Sequence, residues 1–278
     1  MIKFITKVQI KRDLFNQGFS FSKLLGTPEV NPKVKKNLKE GLATFPLQLA
    51  PASLSGFNVC ASSSESCRKM CLHFSGNPIY FSAKEKARHQ RTQAFFKSRN
   101  LFLALLRKEI DTAVNWCKRK DLLCGFRLNT TSDIRWESVY FSKNISVIDY
   151  IISLGAIPYD YTKHTNRKRV PEGYHLTHSW SGDNEDKCIE AFDNGLNVAI
   201  PFSTSKHKEL PTHFKLGQKI VPVFDGDVSD DRSSDPKGHV VGLRWKFDTS
   251  PKALPRKEQL AEAVASGFCI DASSDNRV

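Results

Sequence analysis

Beyond Leu122 short apolar runs recur, each closed by a polar tail, and this rhythm constrains the fold more than any other feature of the chain. The runs are Gly125-Phe126-Arg127-Leu128, Ile157-Pro158-Tyr159, Tyr174-His175-Leu176, Val198-Ala199-Ile200, Ile220-Val221-Pro222-Val223-Phe224 and Val240-Val241-Gly242-Leu243. Helix-like segments lie between some of them, Ser146 to Leu154 and Glu185 to Phe192, followed by Gly155 and Gly195 where a helix commonly ends. Strand, polar loop, helix, strand is the grammar of a parallel α/β sheet or barrel, whose chemistry sits at the carboxyl ends of the strands. Several repeats are only about twenty residues apart, shorter than a full barrel unit. The expectation is α/β, a partial or degraded parallel βα barrel over 122–270.

Upstream the pattern differs. Residues 82–120 place Phe95, Phe96, Leu101, Phe102, Leu105, Leu106, Ile110, Val114 and Trp116 at helical spacing, which suits one or two amphipathic helices. Residues 51–78 are rich in Ser, Cys, Gly and Pro and read as a loop, and 1–50 read as an irregular leader. Met1 to Lys7 alternate like a short strand and lack the apolar core of a signal peptide. No run approaches the ~20 apolar residues of a membrane span. The chain of 278 residues is expected to be a single domain with an irregular Cys-bearing N-terminal segment.

Lys and Arg number 42 against 29 Asp and Glu, a net charge of +13, and the basic residues cluster at 33–36, 84–91, 118–120 and 167–169. Such an excess points to a polyanionic partner, nucleic acid first among them. Seven Cys in a chain of this size argue against a disulfide framework and for a reducing cytoplasm.

Three of those Cys form the sharpest constellation. Cys60, Cys67 and Cys71 lie within twelve residues, with six and then three residues between them. A Cys-rich loop running into a short helix can clamp an iron–sulfur cluster, and thiolates suit both such clusters and zinc. Arg68 and Lys69 would favour thiolates and balance cluster charge. Structural zinc normally takes paired spacings, and no clean second pair exists; three small buried thiols are the remaining reading.

Four further groups stand at run ends. Asn129, Thr131, Ser132, Asp133 and Glu137 could hold a ribose, an amine or a metal, or could cap a helix. Tyr159-Asp160-Tyr161-Thr162-Lys163 offers two tyrosines, and a Tyr beside a metal-bound phosphate can be a nucleophile. His175 and Thr177 would share one strand face, with His178 and Ser179 at its end. Asp225, Asp227, Asp230 and Arg232 follow a strand, and the three carboxylates have spacing suited to Mg²⁺, or to a plain Asp-rich turn. P-loop, dinucleotide-binding and serine-elbow motifs are missing, which excludes those chemistries.

Taken together, the run from Phe45 to Ala52, Gly56, Asn58, the three Cys, Arg88, Arg91-Thr92, the Arg127 to Ile134 run, Tyr159 to Lys163, Tyr174 to Thr177 and the Asp225 to Arg232 tail resemble the phage "gene product 88" family, in order over roughly residues 20 to 270. The family also looks like a remote relative of radical S-adenosylmethionine enzymes, which are partial or full βα barrels. That resemblance implies a 4Fe-4S cluster on Cys60, Cys67 and Cys71, S-adenosylmethionine near Asn129, Ser132 and Asp133, and a place in the cytoplasm of a bacterial host. The Cys spacing of six and three departs from the three and two of the radical enzymes.

The leading expectation is an iron–sulfur protein of phage or mobile-element origin acting on nucleic acid or a nucleotide, with Asp133 or His175 positioning substrate. The alternative is a DNA-nicking or replication-initiation nuclease, with Asp225, Asp227 and His175 on a divalent metal, Tyr159 or Tyr161 attacking phosphate, and a structural Cys centre. A third is a basic, non-catalytic nucleic-acid-binding protein.

Overall fold

The computed structural model describes residues 6–30, 34–75 and 81–273. The strand read at Met1 to Lys7 lies largely outside them; Lys7 itself opens a helix. The chain is mixed α/β, and its strands form an eight-stranded, mostly parallel order. It divides into two compact units, each made of discontinuous pieces.

The first unit comprises Met1–Cys60, Ser82–Tyr159 and Arg169–His175. Its strands β1 (Leu42–Pro46), β2 (Leu123–Arg127) and the first half of β5 (Ile157–Thr162) pair in parallel. A small antiparallel pair, β3 (Tyr140–Ser142) and β4 (Ile145–Ser146), lies between β2 and β5 in the chain. The predicted helical stretch is two helices, α3 (Phe81–Lys97) and α4 (Arg99–Lys120), broken at Ser98. α4 buries Phe102, Leu105, Leu106, Glu109, Ile110, Ala113, Val114 and Cys117, an i, i+3, i+4 stripe. It ends where Asp121 turns left-handed (φ 54°), after Lys118, Arg119 and Lys120, cations that suit a helix C-terminus.

The expected irregular leader is partly ordered structure. α1 (Lys7–Asn16) packs on α4 through Ile10 and Leu14, and β1 takes an edge of the sheet. Buried Glu109 fixes the stretch between them: its Oε2 accepts from the backbone N–H groups of Leu24 (3.0 Å) and Leu25 (2.8 Å). A carboxylate taking two buried amides is a strong anchor.

The second unit comprises Ala61–Phe81, Asp160–Lys168 and Leu176–Val278. It holds the second half of β5, then β6 (His175–Ser179), β7 (Asn197–Phe202), β10 (Val240–Arg244), β9 (Lys219–Asp225) and β8 (His213–Leu216), in that spatial order. β6, β7, β10 and β9 are parallel, and β8 is an antiparallel edge. The core of this unit is Trp180, Cys188, Val198, Ile200, Phe202, Phe214, Leu216, Val221 and Val240, with α6 (Glu185–Asp193) packed over β7. α7 (Arg256–Ala265) follows β10.

Two features depart from the expected barrel. The strand order is consecutive only as far as β7; β10 then inserts between β7 and β9. Among the described residues β1 and β8 do not pair, so the sheet does not close.

Candidate functional site

The segment that carries Cys67 and Cys71 is fastened to the carboxyl ends of strands in the second unit. Past β5, His164 Nδ1 pairs with the Ser62 hydroxyl at 2.9 Å. Past β6, the Ser181 carbonyl accepts from the Ser66 hydroxyl at 2.9 Å. Past β10, Thr249 N–H donates to the Phe74 carbonyl at 3.0 Å. Within the segment, Ser64 caps the short helix α2 (Glu65–Lys69) by accepting from Cys67 N–H, and Cys71 Sγ accepts from His73 N–H at 3.5 Å. Lys69 pairs with Glu262 of α7 at 3.2 Å.

In the first unit Cys60 lies beside the tail of β2. Its Sγ is 3.8 Å from the Thr131 carbonyl and accepts from Ala52 N–H at 3.4 Å. Asp133 N–H donates to Val59 O at 2.8 Å, and the Thr131 hydroxyl donates to Leu49 O at 2.6 Å. These bonds stitch the β2 tail to the loop that ends in Cys60.

Asn129 organises that tail. Its Oδ1 accepts from the Ser132 hydroxyl (2.9 Å), Ile134 N–H (2.9 Å) and Trp136 Nε1 (3.1 Å), and its Nδ2 donates to Ile134 O (2.8 Å). Asn129 and Ser132, expected to meet a cofactor, have these polar groups committed to the turn. Neither Ser132 nor Asp133 caps a regular helix; Trp136–Ser138 is a single tight turn.

Cys60, Cys67 and Cys71 are half-buried, whereas Cys117, Cys124, Cys188 and Cys269 are buried. Burial pushes the Cys188 and Cys269 thiols up to about 12. Cys117 and burial push the Cys124 thiol up. The distant Cys residues are therefore poor additional ligands. Among the described residues, no three of His, Cys, Asp and Glu come together as a metal site. The three loop thiols have donor chemistry suited to a soft metal.

The other expected groups are scattered. Tyr159 is fully buried, its hydroxyl 2.9 Å from that of Thr44 and accepting from Asn37 Nδ2 at 3.2 Å, so it cannot present oxygen to a phosphate. Tyr161 is half-buried on β5 and His175 half-buried at the start of β6. Lys163 Nζ donates to the Ser179 and Trp180 carbonyls at 3.3 and 3.4 Å, holding the end of β6.

Asp225 and Asp227 are ion-paired. Arg244 Nη1 lies 2.9 Å from Asp225 and 3.4 Å from Asp227, and Lys246 lies 3.0 Å from Asp227. Burial raises the Asp227 pKa, but the Arg244 backbone N–H and the Lys246 ammonium bring it below the ordinary value. Arg232 is buried against Asp235 at 3.2 Å. It passes so close to Gly226 that a Cβ there would stand 2.7 Å from Nη1. Asp230 is half-buried in the same turn.

His178 is the residue the sequence reading undervalued. It has no exposed surface, and neither ring nitrogen has a hydrogen-bond partner. Burial, with Lys163, Lys187, His164 and Arg167 nearby, pushes its pKa down to about 4. The alternation of β6 could have signalled burial, since Leu176, His178 and Trp180 share a face.

A mostly parallel α/β sheet with a half-buried Cys segment at strand ends defines the class. No curated protein and no solved structure matches the chain. The profile of the family described as gene product 88 matches residues 22–272, and the chain belongs to that phage family. Among the described residues, no helix is long and apolar enough to cross a membrane.

Proposed function

We propose that the chain is an iron–sulfur protein acting on nucleic acid or a nucleotide inside the phage-infected cell, with Cys60, Cys67 and Cys71 as the thiolate ligands. The observation that carries this reading is the division among the cysteines: three half-buried thiols within twelve residues, four buried ones elsewhere. The net charge of +13 supports a polyanionic substrate. The consecutive order β1-β2-β5-β6-β7, a strip of βα barrel, supports chemistry at the carboxyl ends of the strands.

Metal binding would organise the segment as well as fill it. A cluster held by these thiolates would supply an electron-transfer centre able to take a small ligand such as S-adenosylmethionine. Asp133, on the tail beside Cys60, is the residue this reading assigns to that ligand, and Asn129 shapes the tail that carries it. The nuclease reading draws no support from Tyr159, which is buried, or from Asp225 and Asp227, which are ion-paired.

The test is the iron, sulfide and zinc content of anaerobically purified protein, with its visible absorbance. Stoichiometric iron and sulfide, lost together in Cys60→Ser, Cys67→Ser and Cys71→Ser, is the expected result. Zinc alone, or no metal after reconstitution, overturns it.

A further inference from the structure

We propose that Phe57 and Phe96 form a platform on which an unpaired base of single-stranded nucleic acid stacks, with Lys97 and Arg99 taking the adjoining phosphates; this rests on the nucleic-acid reading above. The two rings stack with centroids 4.4 Å apart and planes 6° from parallel. Most aromatic pairs among the described residues meet edge to face, and Phe96 itself meets Phe95 in this way at 5.1 Å. A parallel pair can continue, because one more ring laid on it adds a layer.

The fold puts this pair on the surface. Phe96 is 37% exposed near the end of α3. Phe57 is half-buried on the loop after β1, where Gly56 takes a left-handed φ of 83° and Gln93 Nε2 donates to the Ser55 carbonyl, docking the loop on α3. Leu54 of the same loop is 51% exposed.

The charge around the platform has one sign. Lys97 and Arg99 are exposed beside it, residues 86–108 contain no carboxylate and residues 41–64 no charged side chain, whereas Arg88 is buried and Arg91 donates to the Lys23 and Gln48 carbonyls. Lys97 Nζ lies 6.0 Å from the Phe57 centroid. The Arg99 guanidinium lies 4.4 Å from that of Phe95, just past the helix break at Ser98. Aromatic faces joined to cations, with acids excluded, match a strand of bases and phosphates. A duplex keeps its bases stacked on each other, so only unpaired bases can use the platform.

The experiment is fluorescence anisotropy of the full chain with labelled oligothymidylate and with the corresponding duplex, across a salt series. Wild type is expected to prefer the single strand. Phe57→Ala and Phe96→Ala should each weaken single-strand binding about tenfold with the salt slope unchanged, and Phe57→Trp should retain binding, which separates stacking from misfolding. Lys97→Ala with Arg99→Ala should lower the salt slope by about 1.4. If wild type binds and the alanine variants bind equally well, the platform is wrong and the nucleic-acid reading survives. If wild type binds neither probe, both fall. If the alanine changes instead abolish self-association, a second copy covers the rings and the proposal is overturned.

Discussion

The Ser66 hydroxyl donates to the Ser181 carbonyl at 2.9 Å, so the turn that carries Cys67 hangs from the end of β6. Ser66→Ala should release it at a cost of about 1 kcal/mol. Hydrogen exchange should quicken across residues 61–72 and stay unchanged in α4. Uniform exchange in both regions would show that the bond does not hold the segment.

Tyr159→Phe removes a hydroxyl shared by Thr44 and Asn37, all three without exposed surface. Urea denaturation should report a loss of about 1–3 kcal/mol, the range for leaving buried polar groups unpaired. A variant of undiminished stability that lost a DNA-cleaving activity would instead restore Tyr159 as a nucleophile.

His178 gives the stability curve a direction. Its folded pKa is pushed from 6.5 to about 4, so below pH 6.5 the unfolded chain takes up the proton first. Its contribution is complete above 6.5 and is lost as pH falls towards 4, a change on the order of 3 kcal/mol. Asp235, raised to about 6 by burial, acts oppositely, since its contribution is present below the ordinary carboxylate range and is lost as pH rises through 6. The difference between wild type and His178→Gln isolates the histidine, and equal pH slopes in the two proteins would exclude the assignment.

Asn129→Ala leaves Ile134 N–H and the Trp136 indole without their acceptor. The expected loss is about 2–4 kcal/mol, one to two unpaired buried donors, read by denaturant midpoint. Near-UV circular dichroism should report the loosened Trp136.

Millimolar Mg²⁺ should leave the thermal midpoint of wild type unchanged, because Arg244 and Lys246 already neutralise Asp225 and Asp227. A rise in midpoint that disappears in Asp225→Ala would reinstate a divalent-cation site.

Each apolar run beyond Leu122 lies on a strand; those of β2, β7 and β10 are largely buried, as continuous apolar stretches in a parallel sheet are, whereas that of β9 is mostly half-buried beside the antiparallel edge. β1 was hidden by its brevity and by Pro46, and α1 because its buried face is only Ile10 and Leu14 among charged neighbours. The three half-buried thiols were visible as a spacing. The partners that define the other groups were not. Tyr159 meets Asn37 across 122 positions, and Asp227 meets Arg244 across 17. No local pattern encodes such pairings, so an Asp-rich turn and a counter-charged one look alike in sequence.

β5 gives residues 157–159 to one unit and 160–162 to the other, and the chain passes between the units five times. Such a chain is inherited whole. No single recombination point separates one unit from the other, and a hybrid joined anywhere within residues 61–175 mixes pieces of both.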